Sequence, residues 1–178
     1  MNSNMGSAEQ DEKIEDLTST EAVEQIKAIV DKSSICFFCT EVPKGAAIGT
    51  RPMGVQKVDD EGNLWFLSPK ESEKNKEIAA DPSVKLHFVG SNADFLYLEG
   101  DASISYDKAK IKELWNPIAK TWFTEGVDDP RISVIKVEPT RGYYWTTQHG
   151  NVVSTIKIAF GALVGKTFDD SKEGKLSV

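Results

Sequence analysis

The stretch from Arg51 to Lys76, RPMGVQKVDDEGNLWFLSPKESEKNK, gathers the residues best suited to chemistry. It reads as strand, turn, strand and then a helix whose first turns carry lysines. Ser68 and Glu71 have the spacing of a capping box, which predicts a helix from about Pro69 to Ala80. Lys70 and Lys74 then fall one turn apart on one face, beside the free backbone amides of a helix start. That combination suits an anion such as a phosphate. Arg51, Pro52 and Met53 open the stretch with a cation and a proline inside a strand-like run, flanked by Gly49 and Gly54. Proline cannot donate to a ladder, so Pro52 marks an edge or a bulge.

Two further groups invite a chemical reading. Cys36 and Cys39 stand as Cys-x-x-Cys, the spacing of a redox dithiol or half a zinc site. On a strand, however, positions i and i+3 point to opposite faces, and only His87 and His149 are available to complete a metal set. Buried structural thiols and no metal site are the expectation. His87 alternates with Val84, Leu86 and Phe88, so it faces away from them and reads as a polar surface or pocket wall. No paired carboxylates, Ser–His pair or activated cysteine stands beside the cationic stretch, and no catalytic residue is assigned.

The elements that must position these groups follow from pattern. Thr18 and Glu21 offer a capping box ahead of a stripe formed by Val23, Ile26, Ile29 and Val30. Strands are expected over 33–42 and 46–58, the second pairing in a hairpin with 64–68 through the turn at Gly62. Arg51 shares a face with Gly49, Met53 and Val55. A long strand over 95–106 carries Gly100, a bulge signal. Asp107 starts a helix, and Asn116-Pro117 a second one, Ile118–Phe123. Trp115 and Trp122 read as core aromatics slightly ahead of ligand contacts. Two strands, 132–137 and 141–147, are separated at Pro139, with Tyr143 and Trp145 on the face of Arg141. Residues 151–164 fit either a strand or a helix. Antiparallel strands with short helices between them predict a mainly β protein, a small barrel with peripheral helices.

The 178-residue chain suits one domain, 17–178, behind an acidic arm, 1–16, that reads as disordered. Net charge is −7, and residues 1–24 hold seven acids against Lys13 alone, leaving the body near neutral. A neutral body lacks the basic face that nucleic acid requires. No apolar run reaches membrane-spanning length, and the polar N-terminus has no signal-peptide core, so a cytoplasmic location is expected.

These motifs resemble the FMN-binding split barrels, the pyridoxamine 5'-phosphate oxidase-like fold, and within them the general stress protein branch. The resemblance runs from roughly Thr20 to the C-terminus. It is carried by the strand-borne RPM, the aromatic strand ending in Ser68, Lys74-Asn75-Lys76, Asp81-Pro82, and the order Trp115, Trp122-Phe123 and Asp128-Asp129-Pro130. It implies an antiparallel FMN-binding split β-barrel and a homodimer with the flavin at its interface. Arg51, Pro52, Met53, Leu67, Ser68 and Lys74 fall on the family's FMN positions. Arg51 and Lys74, with Ser68 and Ser72, suit the phosphate; the backbone of Pro52, Met53 and Leu67 suits the ring edge. The resemblance also settles 151–164 as a helix.

The chain departs from the pyridoxamine oxidase pattern. Glu73-Lys74 stands where an Arg-Lys pair is expected, and Phe95 falls near the place of a ring-side glutamine. No basic set for a pyridoxine phosphate substrate is present, which argues against pyridoxamine oxidation. The expected function is an FMN-binding general stress protein acting as a flavin-dependent oxidoreductase, with a nicotinamide as candidate electron donor. A flavin-holding protein without turnover and an apo interaction module are the alternatives left open.

Overall fold

The computed structural model describes residues 13–42, 49–90, 94–147 and 171–178. The chain runs β1 (Lys13–Ile14), β2 (Leu17–Thr18), α1 (Ser19–Val30), β3 (Ile35–Thr40), β4 (Thr50–Gly54), β5 (Lys57–Val58) and β6 (Leu64–Pro69). It continues as α2 (Glu73–Ala80), β7 (Ser83–Val89), β8 (Phe95–Ser105) and α3 (Lys108–Leu114). Two 3-10 turns follow, Pro117–Thr121 and Gly126–Asp128, and then β9 (Ile132–Thr147) and β10 (Ser171–Ser177). The expected barrel of mainly β character with peripheral helices is what forms. All ten described strands join one sheet, ordered β1-β10-β9-β8-β7-β3-β4, with β2 on β10 and β6 on β9. It is antiparallel except where β10 takes β1 and β2 in parallel.

Period-two alternation builds the core. Val84, Leu86 and Phe88 of β7 face inward against Cys36 and Phe38 of β3, Leu96 and Leu98 of β8, and Leu64 and Phe66 of β6. The α1 stripe of Ala22, Ile26, Ile29 and Val30 joins this cluster. Phe38 and Phe66 meet edge to face at 5.3 Å, an arrangement worth about 0.5–1.5 kcal/mol beyond area burial. A second, smaller cluster lies on the other side of β6 and the first half of β9: Ile111, Leu114, Ala119, Phe123, Ile132 and Val134.

Several expectations need correction. The strand expected over 46–58 and hairpinned to 64–68 is, in its described part from residue 49, two separate strands. β4 turns back to pair with β3, and only Lys57–Val58 pairs with Leu64–Trp65. Pro139 does not interrupt its strand: it sits opposite Gly100, where the β8–β9 register shifts between Glu99 and Gly100. The bulge absorbs the residue that cannot donate. The segment after Asn116 is a 3-10 turn, although Asn116 caps it as expected, accepting from Ile118 and Ala119. Trp115 packs partly buried on the second cluster, but Trp122 is 63% exposed and not a core residue. The helix expected over 151–164, His149 and residues 1–12 of the arm lie outside the described residues.

The end of the expected arm is ordered into the sheet. Glu15 N donates to Glu173 O at 2.8 Å, Tyr144 Oη donates to Glu15 O, and Lys172 pairs with the Glu15 carboxylate. Asp16 accepts from Lys175 N. A strand held by backbone bonds and by lysines of its neighbour needs no apolar stripe, which is why composition hid it. The absence of a side chain at Gly174 permits this approach, since a Cβ there would lie 1.9 Å from Glu15 O.

Gly100 has the same kind of role at the bulge. A Cβ there would meet Glu138 O at 2.2 Å and Pro139 Cα at 2.8 Å. Backbone on both strands must move, so Gly100→Ala is expected to cost about 1–3 kcal/mol. Urea titration reads this as a lower midpoint with an unchanged slope; an unaltered midpoint would show that β8 shifts its bulge at no cost.

Candidate functional site

Arg51 lies on β4 directly across from Phe38, on the inner face with Met53. Its guanidinium is anchored rather than waving in solvent. Nη1 donates to Thr40 Oγ1 at 2.9 Å, and Nη2 to Glu77 Oε2 at 2.8 Å. The Arg51 and Glu77 side chains are 22% and 20% exposed. Thr40 has one hydroxyl proton and two acceptors in reach, Glu77 Oε2 at 2.5 Å and Gly49 O at 3.1 Å. The shorter contact, to a carboxylate, takes it.

Lys74 stands three residues before Glu77 on α2, hence on the same helix face. Its pKa lies below the usual lysine range, first because burial penalises the charged form and then because Arg51 repels it, with Glu77 acting the other way. Among the described residues it has no ion-pair partner. Two cations therefore face one carboxylate in a half-buried setting, and one positive charge is left unmatched. That excess suits an incoming anion.

The helix start differs from the expectation. α2 begins at Glu73, and its N-cap is Ser72, whose Oγ accepts from Asn75 N at 3.4 Å. β6 runs on through Pro69, because Ser68 and Pro69 stay in register with Ser133 and Ile132 of β9. Lys70 is thus outside the helix, its ammonium 5.0 Å from the Tyr106 ring centroid. Lys70 and Lys74 do not form a one-turn pair.

Ser68 is completely buried. Its hydroxyl lies 2.9 Å from Asn75 Oδ1 and 3.1 Å from Ser72 Oγ. Asn75 Nδ2 donates to Ser133 Oγ, which donates to Ser68 O at 2.8 Å. The four side chains brace α2 against β6 and β9, and Ser68 has no exposed hydroxyl for a phosphate. Its contribution is to hold the helix that carries Lys74.

Pro52, Met53 and Leu67 turn their side chains to three surroundings: the outer face opposite Phe37, the main core, and the second cluster. What they share is strand edge. Among the described residues β4 pairs with β3 alone, and beyond Trp65 the only strand partner of β6 is β9. After Gln56 N donates to Trp65 O, no described ladder bond joins β4 to β6. Two strand edges without a described ladder partner thus diverge from the β5–β6 hairpin. Pro52 itself makes no bulge; the open edge comes from β4 being the terminal strand.

Thr40, Glu77 and Asn75 were not foreseen. Glu77 had a sequence signal in its three-residue spacing from Lys74, and Asn75 one in the Lys74-Asn75-Lys76 motif. Thr40 enters only through the β3–β4 register.

Cys36 and Cys39 part to opposite faces as expected, but only Cys36 is buried, because the face that takes Cys39 is turned away from the core. Cys36 is in the core, where burial pushes its thiol up to about 12. Cys39 is on the outer face, accepting from Thr50 Oγ1 at 3.3 Å, with His87 Nδ1 at 3.8 Å. A thiol-labelling time course on native protein should therefore give one fast thiol, Cys39, and one that waits for unfolding. Equal rates would contradict the placement of Cys36.

That outer face is ordered in cross-strand rows. Ile35 ends the β3 side, and Val89, Phe95 and Trp145 are in direct register across β7, β8 and β9. The next row is Pro52, Phe37, His87, Tyr97 and Tyr143. Ile35, Phe37, Val89, Phe95 and Trp145 are 41–63% exposed, and no described residue covers them. No described helix is long and apolar enough to cross a membrane.

A family model described as "Pyridoxamine 5'-phosphate oxidase like" matches residues 21–169. Protein bli-3 of Neurospora crassa is 25% identical over 177 residues, covering 94% of this chain and 80% of that one. A structure from Jannaschia sp., provisionally named general stress protein 26, superposes with a TM-score of 0.71 at 23% identity, covering 88% of this chain and 95% of that one. A general stress protein of Xanthomonas citri, named as FMN/FAD binding, gives a TM-score of 0.60 at 20% identity, over 70% of this chain and 87% of that one.

Proposed function

This chain belongs to the pyridoxamine 5'-phosphate oxidase-like family, and from that premise we propose that it binds FMN and serves as a flavin-dependent oxidoreductase. One observation carries the reading: Arg51 of β4, paired with Glu77 of α2, stands close enough to Lys74 for their charges to repel, and one carboxylate offsets the two. Their unmatched charge beside two open strand edges fits a phosphate joined to a flat, polar-edged ring. The name of the Xanthomonas citri protein points the same way. FMN when bound supplies the redox chemistry. The chain's own residues do the holding: Arg51 and Lys74 face the phosphate, the edges of β4 and β6 offer backbone groups to the ring, and the Ser68–Asn75–Ser133 brace keeps α2 in place.

The absorbance spectrum of the purified protein after FMN titration and gel filtration tests this. Retained flavin bands at stoichiometric ratio are expected; a colourless protein overturns the reading. A flavin-holding role without turnover is the second reading. It is favoured by Glu77 being the sole carboxylate at this cluster among the described residues and already ion-paired to Arg51, which leaves no carboxyl group free for proton transfer. Reduction by NADH or NADPH followed by reoxidation separates the two.

The dimer belongs to the same proposal. The row Ile35, Val89, Phe95, Trp145, covered by no described residue, is large and apolar, and Pro52 in the neighbouring row belongs to the strand whose edge would meet the ring. Light scattering should give about twice the chain mass of 19.6 kDa. Phe95→Asp should return the monomer and lose flavin with it; a wild-type monomer that keeps flavin would separate this face from the site.

A further inference from the structure

Among the described residues, Glu77 is the one group at the cationic cluster whose charge opposes the ligand proposed for it. We propose that Glu77 is an internal counter-anion that competes with a phosphate for Arg51, and so sets how readily a phosphate-bearing flavin is taken up and released. This rests on the flavin-binding reading and deepens it.

The geometry assigns Glu77 this place in three ways. Its Oε2 receives both Arg51 Nη2 at 2.8 Å and the Thr40 hydroxyl at 2.5 Å, while Oε1 has no partner among the described residues. A carboxylate using one oxygen for two donors keeps its full negative charge beside Arg51, so a phosphate approaching the same guanidinium would meet that charge. Its pKa is held below the usual carboxylate range; burial works against this and is outweighed by the bonds from Thr40 and Arg51 and the charges of Arg51 and Lys74, so Glu77 remains an anion at neutral pH. And Lys74, three residues earlier, is held in a half-buried position that Glu77 relieves only in part. Glu77 thus keeps two like charges together in the ligand-free protein. When a dianion arrives to do the same work, Glu77 is surplus and repels it.

A purely structural role predicts the opposite sign. If Glu77 only aims Arg51, removing its charge loosens the guanidinium and weakens binding. Glu77→Gln keeps an amide oxygen for both donors and removes the charge. FMN affinity of E77Q should rise roughly 5- to 30-fold, the scale expected for deleting one like charge several ångströms from a dianion at a half-exposed site. Riboflavin, which has no phosphate, should bind both proteins equally. Thermal stabilisation by inorganic phosphate, titrated at constant ionic strength, is the readout free of the ring, and E77Q should respond at lower concentration. If FMN and phosphate bind E77Q no better than wild type, the competition is overturned while flavin binding stands. If FMN binds neither protein but phosphate favours E77Q, the flavin reading falls and the counter-anion role stands. If E77Q melts far below wild type without ligand, Glu77→Asp, which keeps the charge, decides: FMN affinity there must not exceed that of wild type.

Discussion

Arg51→Ala lowers FMN affinity by about 100- to 1,000-fold, the largest effect expected of any single substitution in the chain. A guanidinium offers a phosphate two parallel charge-assisted bonds, each worth about 1.5–3 kcal/mol when removed, and at 1.4 kcal/mol per decade their partial overlap gives this range. The side chain is already aimed by Thr40 and Glu77, so little ordering cost offsets the gain. Arg51→Lys separates charge from geometry. It keeps one positive charge but cannot span Thr40, Glu77 and a phosphate together, so it should fall between wild type and alanine. Riboflavin binding discriminates the phosphate role from general damage: it should drop only slightly in either variant. The ligand-free alanine variant should also melt lower, since Glu77 then faces Lys74 alone and Thr40 loses a donor. Equal losses for FMN and riboflavin would place Arg51 in the fold rather than in the phosphate site.

Wherever near neighbours in the chain decide the environment, the sequence could be read. Alternation in β7 put Val84, Leu86 and Phe88 inside and Lys85 and His87 outside, and the same period separated Cys36 from Cys39. Gly100 announced its bulge, and the α1 stripe its buried face. Long-range register was not legible in this way. Whether Thr50–Gly54 pairs forward with β6 or back with β3 depends on closure of the whole sheet, and local pattern is the same for both. Ser68 and Ser72 both offer a helix cap. The choice of Ser72 is made by Ser133, far along the chain, which holds β6 in the ladder through Pro69 and places Ser68 against Asn75. The N-terminal strands were hidden because lysines and backbone amides of β10, rather than apolar burial, hold residues 13–16. The site itself was half visible. Its cations could be seen in the chain, but the Thr40–Glu77 bracket that orients one of them needed the fold.

Lys74→Ala should weaken FMN binding about 10- to 100-fold, the loss of one charge-assisted bond at about 1.5–3 kcal/mol. Riboflavin should be unaffected. The distinctive evidence is in the pH profile. Lys74 has a lowered pKa in the ligand-free protein, from burial first and the Arg51 charge second. A phosphate favours the charged amine, so binding raises that pKa and takes up a proton wherever Lys74 is partly neutral. FMN affinity should then decline as pH climbs through the lowered Lys74 pKa, on the acid side of where an ordinary lysine would act. Riboflavin should show no such decline, and K74A should lose it for FMN as well, leaving only the steady contribution of Arg51. The ligand-free stability has the opposite sign. The unfolded chain holds the Lys74 proton more tightly than the folded protein, so stability rises with pH through the same window. Titrating flavin fluorescence for both ligands across alkaline pH, in wild type and K74A, tests all of this together. An FMN profile that stays flat in wild type, or declines identically in K74A, would remove Lys74 from the phosphate site and leave Arg51 to hold it.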